Sequence, residues 1–467
     1  MASTSERWRK LAVGEMVELV QYGSSAKTSE DTSGVPVLRM GNIQDGKLDL
    51  NSLKYLPHEH PEFPELLLSE GDLLFNRTNS AELVGKSVVY RGNPPKCSCA
   101  SYLIRVRLKP EFVPEYLCNY LNSPFGRQWI ASVVSQQVGQ ANVNGSKLKA
   151  LSVSVPGFDD QRRIVAEIEK QFTRLEAGVA ALRRAQANLK RYRAAVLKAA
   201  CEGRLVPTEA ELARAEGRPF ESAKQLLART QAPPRPNRWN SRSQDVIPGH
   251  SALAVGNPKT KVPEGWEWSA LVEIAKMESG HTPSRNHPEW WDGDVAWIGI
   301  ADARERDGRT IHETFQHTNV EGIANSASRL LPSGTVCISR TASVGYVVVM
   351  GREMATSQDF VNWVPTPAVT SDWLRIIFSA DREALRRFGK GSVHKTIYFP
   401  EWLSMLIALP PLAEQIRIVA EAERRLSVVD ELEALVTANL QRATRLRQSI
   451  LQKAFAGKLE LPMQLIS

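Results

Sequence analysis

The sequence has little of what marks most enzymes and membrane proteins. Cysteine is scarce, with five in 467 residues. Cys97 and Cys99 form a lone C-x-C, and Cys118, Cys201 and Cys337 are scattered. A structural zinc takes four ligands, commonly as two close pairs, and no second pair exists. The pattern predicts buried or free thiols, not a disulfide framework. Apolar runs are short, as in Tyr346–Met350. They fall far below the roughly 18 residues of a membrane-spanning helix. Met1–Lys10 is polar and charged, without the apolar stretch of a secretory signal. These absences predict a cytoplasmic protein with no membrane partner.

Catalytic signatures are missing as well. There is no G-x-x-x-x-G-K-[ST] phosphate loop and no glycine-rich dinucleotide turn. Asn93-Pro94-Pro95-Lys96 comes nearest to one. Amino-methyltransferases follow N-P-P with an aromatic ring that stacks on a flipped base, and Lys96 offers no such surface. The segment is read as a turn. Asp45-Gly46-Lys47 is read as a hairpin turn rather than part of a nuclease carboxylate–lysine set. His58-Glu59-His60 alternates along a loop, a poor spacing for a metal. The expectation is a chain with no catalytic residue, no metal and no cofactor.

What is present is basic charge and a repeat. The formal net charge is +8, which permits a polyanionic partner. The excess is concentrated: Gln161–Leu205 holds 11 Lys/Arg against 4 Asp/Glu. The same segment returns, without a gap, as Gln415–Leu459. About 14 of its 45 positions are identical, where chance gives two or three, so this is an internal duplication.

Both copies carry a helical apolar seam. Val165, Ile168, Phe172, Leu175, Val179 and Leu182 alternate three and four residues apart, continued by Leu189 and Val196. The second copy keeps the register with Val419, Ala422, Leu426, Val429, Val436, Leu440 and Ile450. Gly203 and Gly457 fall where each helix would stop. A helix of about 45 residues is about 65 Å long and cannot bury such a stripe alone. The two copies are therefore expected to pair. Arg193 and Arg447 share one seam position, where a charge controls register, meets a partner or snorkels outward.

A stretch of about 150 residues precedes each helix. The two stretches echo one another. Trp8…Val13-Gly14-Glu15-Met16 resembles Trp266…Leu271-Val272-Glu273-Ile274. Leu74–Ser80 resembles Cys337–Ser343, and each then reaches Val-Gly, at Val84-Gly85 and Val344-Gly345. Leu73–Phe75, Ser87–Tyr90 and Val336–Ser339 read as buried strands, and Tyr116–Val134 and Trp373–Phe388 as helices. The predicted fold is mixed α+β. Its plan is head 1–157, long helix 158–205, linker 206–262 with a surface helix, head 263–411, long helix 412–460.

The heads carry matching polar sets. Arg77, Thr78, Asn79 and Ser80 leave one strand; Arg340, Thr341 and Ser343 leave the other. Arginine takes phosphates or guanine edges bidentately, and hydroxyls suit phosphates. Before the first long helix lie Gln140, Asn142, Asn144 and Lys147; near the corresponding place lie His394, Lys395 and Tyr398. Near the head starts are Ser24, Ser25 and Lys27, then Thr282, Ser284 and Arg285. Lys86 and Tyr346 flank the two Val-Gly turns. Together these residues form a candidate DNA-binding set.

Order, spacing and duplication resemble the specificity subunit of Type I restriction–modification enzymes. The resemblance rests on Pro263-Glu264-Gly265-Trp266, the Arg-Thr-x-Ser and Val-Gly pairs, and the helix starts at Pro156…Gln161 and Pro410…Gln415. It also rests on the helix ends Lys198-Ala199-Ala200…Gly203 and Lys453-Ala454…Gly457. The first head departs from it by opening on Glu6-Arg7-Trp8-Arg9. The resemblance implies two target-recognition domains on two long antiparallel helices in a coiled coil, with pseudo-twofold symmetry. It implies double-stranded DNA as a partner, read as a bipartite target; two heads on one stiff spacer should meet the same face of the duplex, with half-site centres about 34 Å apart. It also implies two docked methyltransferase subunits and, through the complex, motor–nuclease subunits. Those partners would bind S-adenosylmethionine, ATP and Mg²⁺. The alternative is a coiled-coil assembly protein whose heads bind other proteins.

Overall fold

The computed structural model describes residues 8–460, apart from 45, 81, 138–139, 235–260, 342, 381, 387–394 and 404. The chain divides into two compact units, 1–184 with 436–467, and 185–435. Each unit holds one head and a segment of each of two 44-residue helices, Phe158–Cys201 and Leu412–Phe455. Within each unit the two helical segments lie side by side, antiparallel.

The seam forms because neither helix can shed its apolar stripe into water alone. Val165, Ile168 and Val196 are buried, as are Val419, Ala422, Val429, Val436 and Ile450. Phe172, Leu175, Val179, Leu182, Leu426 and Leu440 are half-buried. Both helices end in the same way. The amide of Arg204 donates to Ala199 O at 2.9 Å and that of Gly203 to Ala200 O at 3.2 Å. Lys458 and Gly457 repeat the pattern onto Lys453 and Ala454. Gly203 and Gly457 have φ of +65° and +68°, the left-handed turn this stop requires.

In the first unit, an antiparallel sheet runs in the order Val17–Tyr22, Leu103–Leu108, Leu73–Asn76, Ser87–Val89. A second sheet is formed by Ser98–Cys99, Val35–Leu38 and Lys54–Leu56. In the second unit the main sheet repeats that order with Ala275–Ser279, Phe360–Pro365, Val336–Ser339 and Val347–Met350. Arg309–Ile311 adds a parallel strand at its edge. The helical stretch expected from Tyr116 to Val134 is two helices, Pro114–Asn122 and Pro124–Val133. Ser123 caps the second, and Pro124 prevents the first from continuing. Its counterpart likewise divides into Ser371–Ala380 and Arg382–Arg386. In the linker, Glu209–Glu216 and Ala223–Arg229 are short helices separated at Gly217, whose φ is +65°.

Each head begins and ends at the foot of its long helix. Arg9–Ala12 pairs with Ser152–Val155, and Glu267–Ala270 pairs with Leu406–Leu409. A buried glutamine fastens each foot. Gln161 accepts from the Val113 amide at 2.9 Å and donates to Pro156 O at 3.0 Å. Gln415 accepts from Thr370 at 2.9 Å and donates to Ala368 O and Pro410 O at 3.0 and 3.1 Å. The far end of the other helix closes each core. Ile450, Leu451, Ala454 and Phe455 pack into the first head, where Phe455 lies edge-on to Tyr116 and Tyr120. Val196, Ala200 and Cys201 pack into the second, whose core holds Trp363, Trp373 and Trp402. Trp266 of the P-E-G-W turn donates to Glu414 Oε1 at 2.8 Å and meets Trp373 edge-on.

One buried charge cluster is structural. Asp72 is fully buried between Arg105 at 2.7 Å and Arg107 at 2.8 Å, and also accepts from the Ser69 amide. Truncating it leaves two guanidinium groups without their counter-charge. Asp72→Ala is expected to cost about 3–5 kcal/mol in denaturant unfolding. Gln161→Ala or Gln415→Ala orphans a buried amide and carbonyl, with an expected cost of about 1–3 kcal/mol each in the same measurement.

Candidate nucleic-acid interface

The strand Leu73–Asn76 delivers Arg77 to a corner where three segments meet. The Arg77 amide donates to Tyr102 O at 3.0 Å, and its carbonyl accepts from the Val143 amide at 2.9 Å. Thr78–Asn79 pairs with Gln140–Asn142, and Asn142 Nδ2 donates to Thr78 Oγ1 at 2.8 Å. The second head builds the same corner. Arg340 donates to Asp359 O at 2.7 Å and accepts from the Ile397 amide at 2.8 Å. Thr341 bridges Thr396, with hydroxyls 2.6 Å apart. This register makes Thr396 the equivalent of Asn142, and Tyr398 that of Asn144. Thr396 was absent from the sequence-derived set, because its role depends on a pairing that no local motif announces.

Both corner arginines lie over a ring. The Arg77 guanidinium is 4.7 Å from the Tyr22 ring centre, and that of Arg340 is 4.5 Å from Phe399. The Nε of each is buried without a hydrogen-bond partner among the described residues. Among the described residues Arg77 Nη1 reaches Ser101 O alone, at 3.4 Å. Burial pushes the Arg340 pKa below its ordinary value, against the pull of Asp359 and Tyr398. Such a cation is oriented and partly dehydrated, yet its donor fork is not saturated. Arg105 and Arg107 differ in kind, because their donors go to acceptors within the head: Arg105 to Asp72, Gln21 Oε1 and Glu65 O, and Arg107 to Asp72.

The third segment is the loop after each head's first long strand. Gly23 and Gly280 let it run against backbone. A Cβ at Gly23 would lie 2.2 Å from Cys99 O, and one at Gly280 would lie 2.0 Å from Ser357 O. The loop thereby meets the corner. Ser101 donates its amide to Ser24 O, and the Thr282 hydroxyl bonds Gln358, next to Asp359. Ser24 itself is buried and accepts from the Ala26 amide at 3.1 Å, while Ser25 and Lys27 are exposed.

The second head adds an aromatic platform. Arg285 is exposed, and its guanidinium lies 3.6 Å from the Trp291 ring centre and 5.4 Å from that of Trp297. Its Nη2 donates to Gln316 Oε1 at 2.7 Å. His287 stacks on Trp290 at 4.1 Å beside it. Of this platform the sequence motifs single out Arg285 and not Trp291, Trp297 or Gln316. Two tryptophans near a cation were the available signal.

The remaining candidates divide. Asn79, Ser80, Asn144, Ser284, Lys395 and Tyr398 are exposed or half-exposed near these segments. Asn144 caps the helix Gly145–Ala150, accepting from the Lys147 amide at 2.9 Å. Lys147 donates its ammonium to Val133 O at 2.6 Å and is thus committed within the head. Ser343 and Tyr346 belong to the turn closed by Ser339, whose hydroxyl donates to Ser343 O and accepts from the Tyr346 amide. Lys86 lines a separate cleft of about 740 Å³ with Arg91 and Arg127. Gln140 is described in backbone only, in the strand Gln140–Asn142, and His394 lies outside the described residues.

All five cysteines are free and buried, and burial pushes the Cys97 and Cys99 thiols up to about 12. Among the described residues no His, Cys, Asp or Glu group is arranged to hold a metal, and no helix is long and apolar enough to cross a membrane.

Comparison with known proteins identifies this arrangement. Residues 5–181 and 263–442 match the family model described as Type I restriction modification DNA specificity domain. The chain is 23% identical over 434 residues to the Type I restriction enzyme StySPI specificity subunit of Salmonella potsdam, covering 91% of this chain and 82% of that protein. A chain solved in work on complex assembly and conformational transition of the type I R-M system shares the fold. Its TM-score is 0.68 at 19% identity, over 97% of this chain and 98% of that one. The HsdS subunit from Thermoanaerobacter tengcongensis gives a TM-score of 0.50 at 18% identity, over 97% of each chain. With both heads and most of both helices inside the matched ranges, this chain belongs to the Type I restriction modification DNA specificity family.

Proposed function

We propose that the chain is a non-catalytic specificity subunit whose heads, 1–157 and 263–411, each read one half of an asymmetric bipartite DNA target. The helices 158–205 and 412–460 form the spacer, and 206–262 links the halves. Methyltransferase subunits dock on the chain and supply S-adenosylmethionine chemistry; motor–nuclease subunits join through them.

The observation that carries this reading is the duplicated corner. Two arginines, each with its guanidinium over a ring, hold equivalent places, and among the described residues their Nη groups meet one acceptor, Ser101 O on Arg77. A guanine edge or a phosphate supplies the missing acceptors. Asn142 and the Thr hydroxyls beside them suit base edges or backbone. The heads also differ in what surrounds the corner. The Arg285 platform stands where the first head offers Ser25 and Lys27. Unlike surroundings favour unlike half-sites, hence a target that is not a palindrome.

Methylation mapping on host and variant DNA, with the chain assembled on its methyltransferase partners, tests this directly. Arg77→Ala is expected to weaken recognition by about 1–3 kcal/mol, roughly 5- to 150-fold, and to relax one half-site only. Arg340→Ala should relax the other half. A uniform loss on all sequences identifies a phosphate contact instead. Stability should change by no more than about 1 kcal/mol, the worth of one partly exposed cation–π contact. Replacing 263–411 by a different head should change one half of the target. A change in both halves, or no DNA recognition by the assembled complex, rejects the reading.

A further inference from the structure

The seam arginines, Arg193 and Arg447, have no part in the corners described above. Each crosses to an acid on the other long helix. Arg447 Nη1 lies 3.4 Å from Glu176 Oε1, with its guanidinium 4.0 Å from the Phe172 ring centre. Arg193 pairs with Asp430 and, at 2.9 Å, with Glu433. The offset that relates Gln161 to Gln415 also relates Glu176 to Asp430 and Glu169 to Glu423.

A cation from the head meets each of these acids. Lys47 pairs with the second oxygen of Glu176, and Arg309 with the second oxygen of Asp430 at 3.1 Å. Arg91 joins Glu169 at 2.5 Å and Glu115 at 3.7 Å. Arg375 joins Glu423 at 2.5 Å and Asp372 at 3.0 Å. The helix positions are duplicates, but the head cations come from different elements. Lys47 belongs to the hairpin strand Lys47–Leu48, and Arg309 to an edge strand with a parallel partner. Arg91 follows the strand Ser87–Val89, whereas Arg375 lies on the helix Ser371–Ala380. Two unlike heads thus reach the same helix seats by unlike routes, which copying alone does not produce.

The placement has a mechanical consequence. The first head's core packs on its own helix through Ile164, Val165 and Ile168, with Phe172 and Leu175 half-buried at its outer edge, and on the other helix through Ile450, Leu451, Ala454 and Phe455. Glu169 lies within this edge and Glu176 directly follows it. Apolar packing is non-directional, so the ion pairs along the edge add an orientation to it. Lys47 and Glu176 are 65% and 36% exposed, so their pair adds little to stability. Its effect is on orientation.

We propose that Glu169 with Glu176, and Glu423 with Asp430, are positioning residues. Each pair is an electrostatic stay that holds its head at one tilt on the helices, and so restricts the gap the chain accepts between half-sites. The gap restriction rests on the DNA-reading proposal; the tilt does not.

Two measurements on the full chain separate these. Spin labels at Asn51 and Ala180 report tilt without DNA. The distance distribution should be narrow at low salt, and broader in Glu176→Gln or at high salt, where surface charge is screened. A distribution no broader in the variant overturns the stay. With methyltransferase partners bound, a DNA library keeps both half-sites and varies the gap by one base pair either way. Glu176→Gln with Asp430→Asn should read the same bases, keep its Tm, and lose about two- to five-fold of gap discrimination per stay. Glu169→Arg should loosen the gap, and adding Arg91→Glu together with Glu115→Gln, which removes the acid that Arg91 also meets, should restore it. An unchanged gap profile, or a swap that fails to restore it, refutes the gap restriction. Failure of the unaltered complex to select any sequence counts against DNA reading and leaves the label result standing.

Discussion

A 44-residue helix with one apolar stripe is unstable in water by itself, and this chain contains two. Everything else follows from how that stripe is covered. Along the middle the helices cover each other. At each end a head does so, and it uses both helices. Its own helix supplies the first turns, and the other helix supplies its last turn, through Phe455 or through Val196 and Ala200. A head therefore cannot complete its core without both helices. The buried glutamine at each foot adds direction to this non-directional burial. One amide side chain satisfies a donor and an acceptor of the head that would otherwise be buried unpaired.

The charges of the molecule fall into three physical situations. Asp72 is fully buried and its oxygens are taken up by Arg105 and the half-exposed Arg107, so its removal is felt as instability. The helix acids with Lys47, Arg91, Arg309 and Arg375 are largely exposed pairs, individually weak and open to screening by salt. Arg77 and Arg340 fit neither description. They are partly dehydrated, held by an aromatic face, and short of acceptors. A basic sequence contains many arginines, and their environments sort them better than their number does.

Much of the architecture was legible because it is periodic or repeated. Val165 to Leu182 and Val419 to Ile450 show the seam through spacing alone, and Gly203 and Gly457 mark where it ends. The candidate interface was legible only in part. Arg77 and Arg340 stood out because a short motif recurs with the helices. Thr396 and Gln316 did not, since each gains its place by pairing with residues distant in the chain. Sequence also could not tell that Ser24 faces inward or that the Lys147 ammonium is spent on Val133 O. Those outcomes depend on backbone approach, such as the close pass that Gly23 permits. The split of Tyr116–Val134 into two helices was readable in principle from Ser123-Pro124, a capping residue before a proline.

Duplication followed by divergence explains which parts stayed alike. A position that closes a core or terminates a helix is constrained by packing, whichever DNA the head reads. Gln161 and Gln415, Gly23 and Gly280, and the two helix stops are of this kind. On the proposed DNA reading, a position that meets the DNA is constrained by it, and two half-sites would impose two constraints. Asn142 and Thr396 hold equivalent places with different side chains, and the ring beneath the arginine comes from the strand Val17–Tyr22 in one head and from the start of the helix Phe399–Leu403 in the other. The stays combine both kinds, with like acids on the helices and unlike cations on the heads. A head that changes its reading surface can keep its seat provided some cation still reaches the same carboxylates. The helix acids act as fixed addresses, and the heads are free to vary elsewhere.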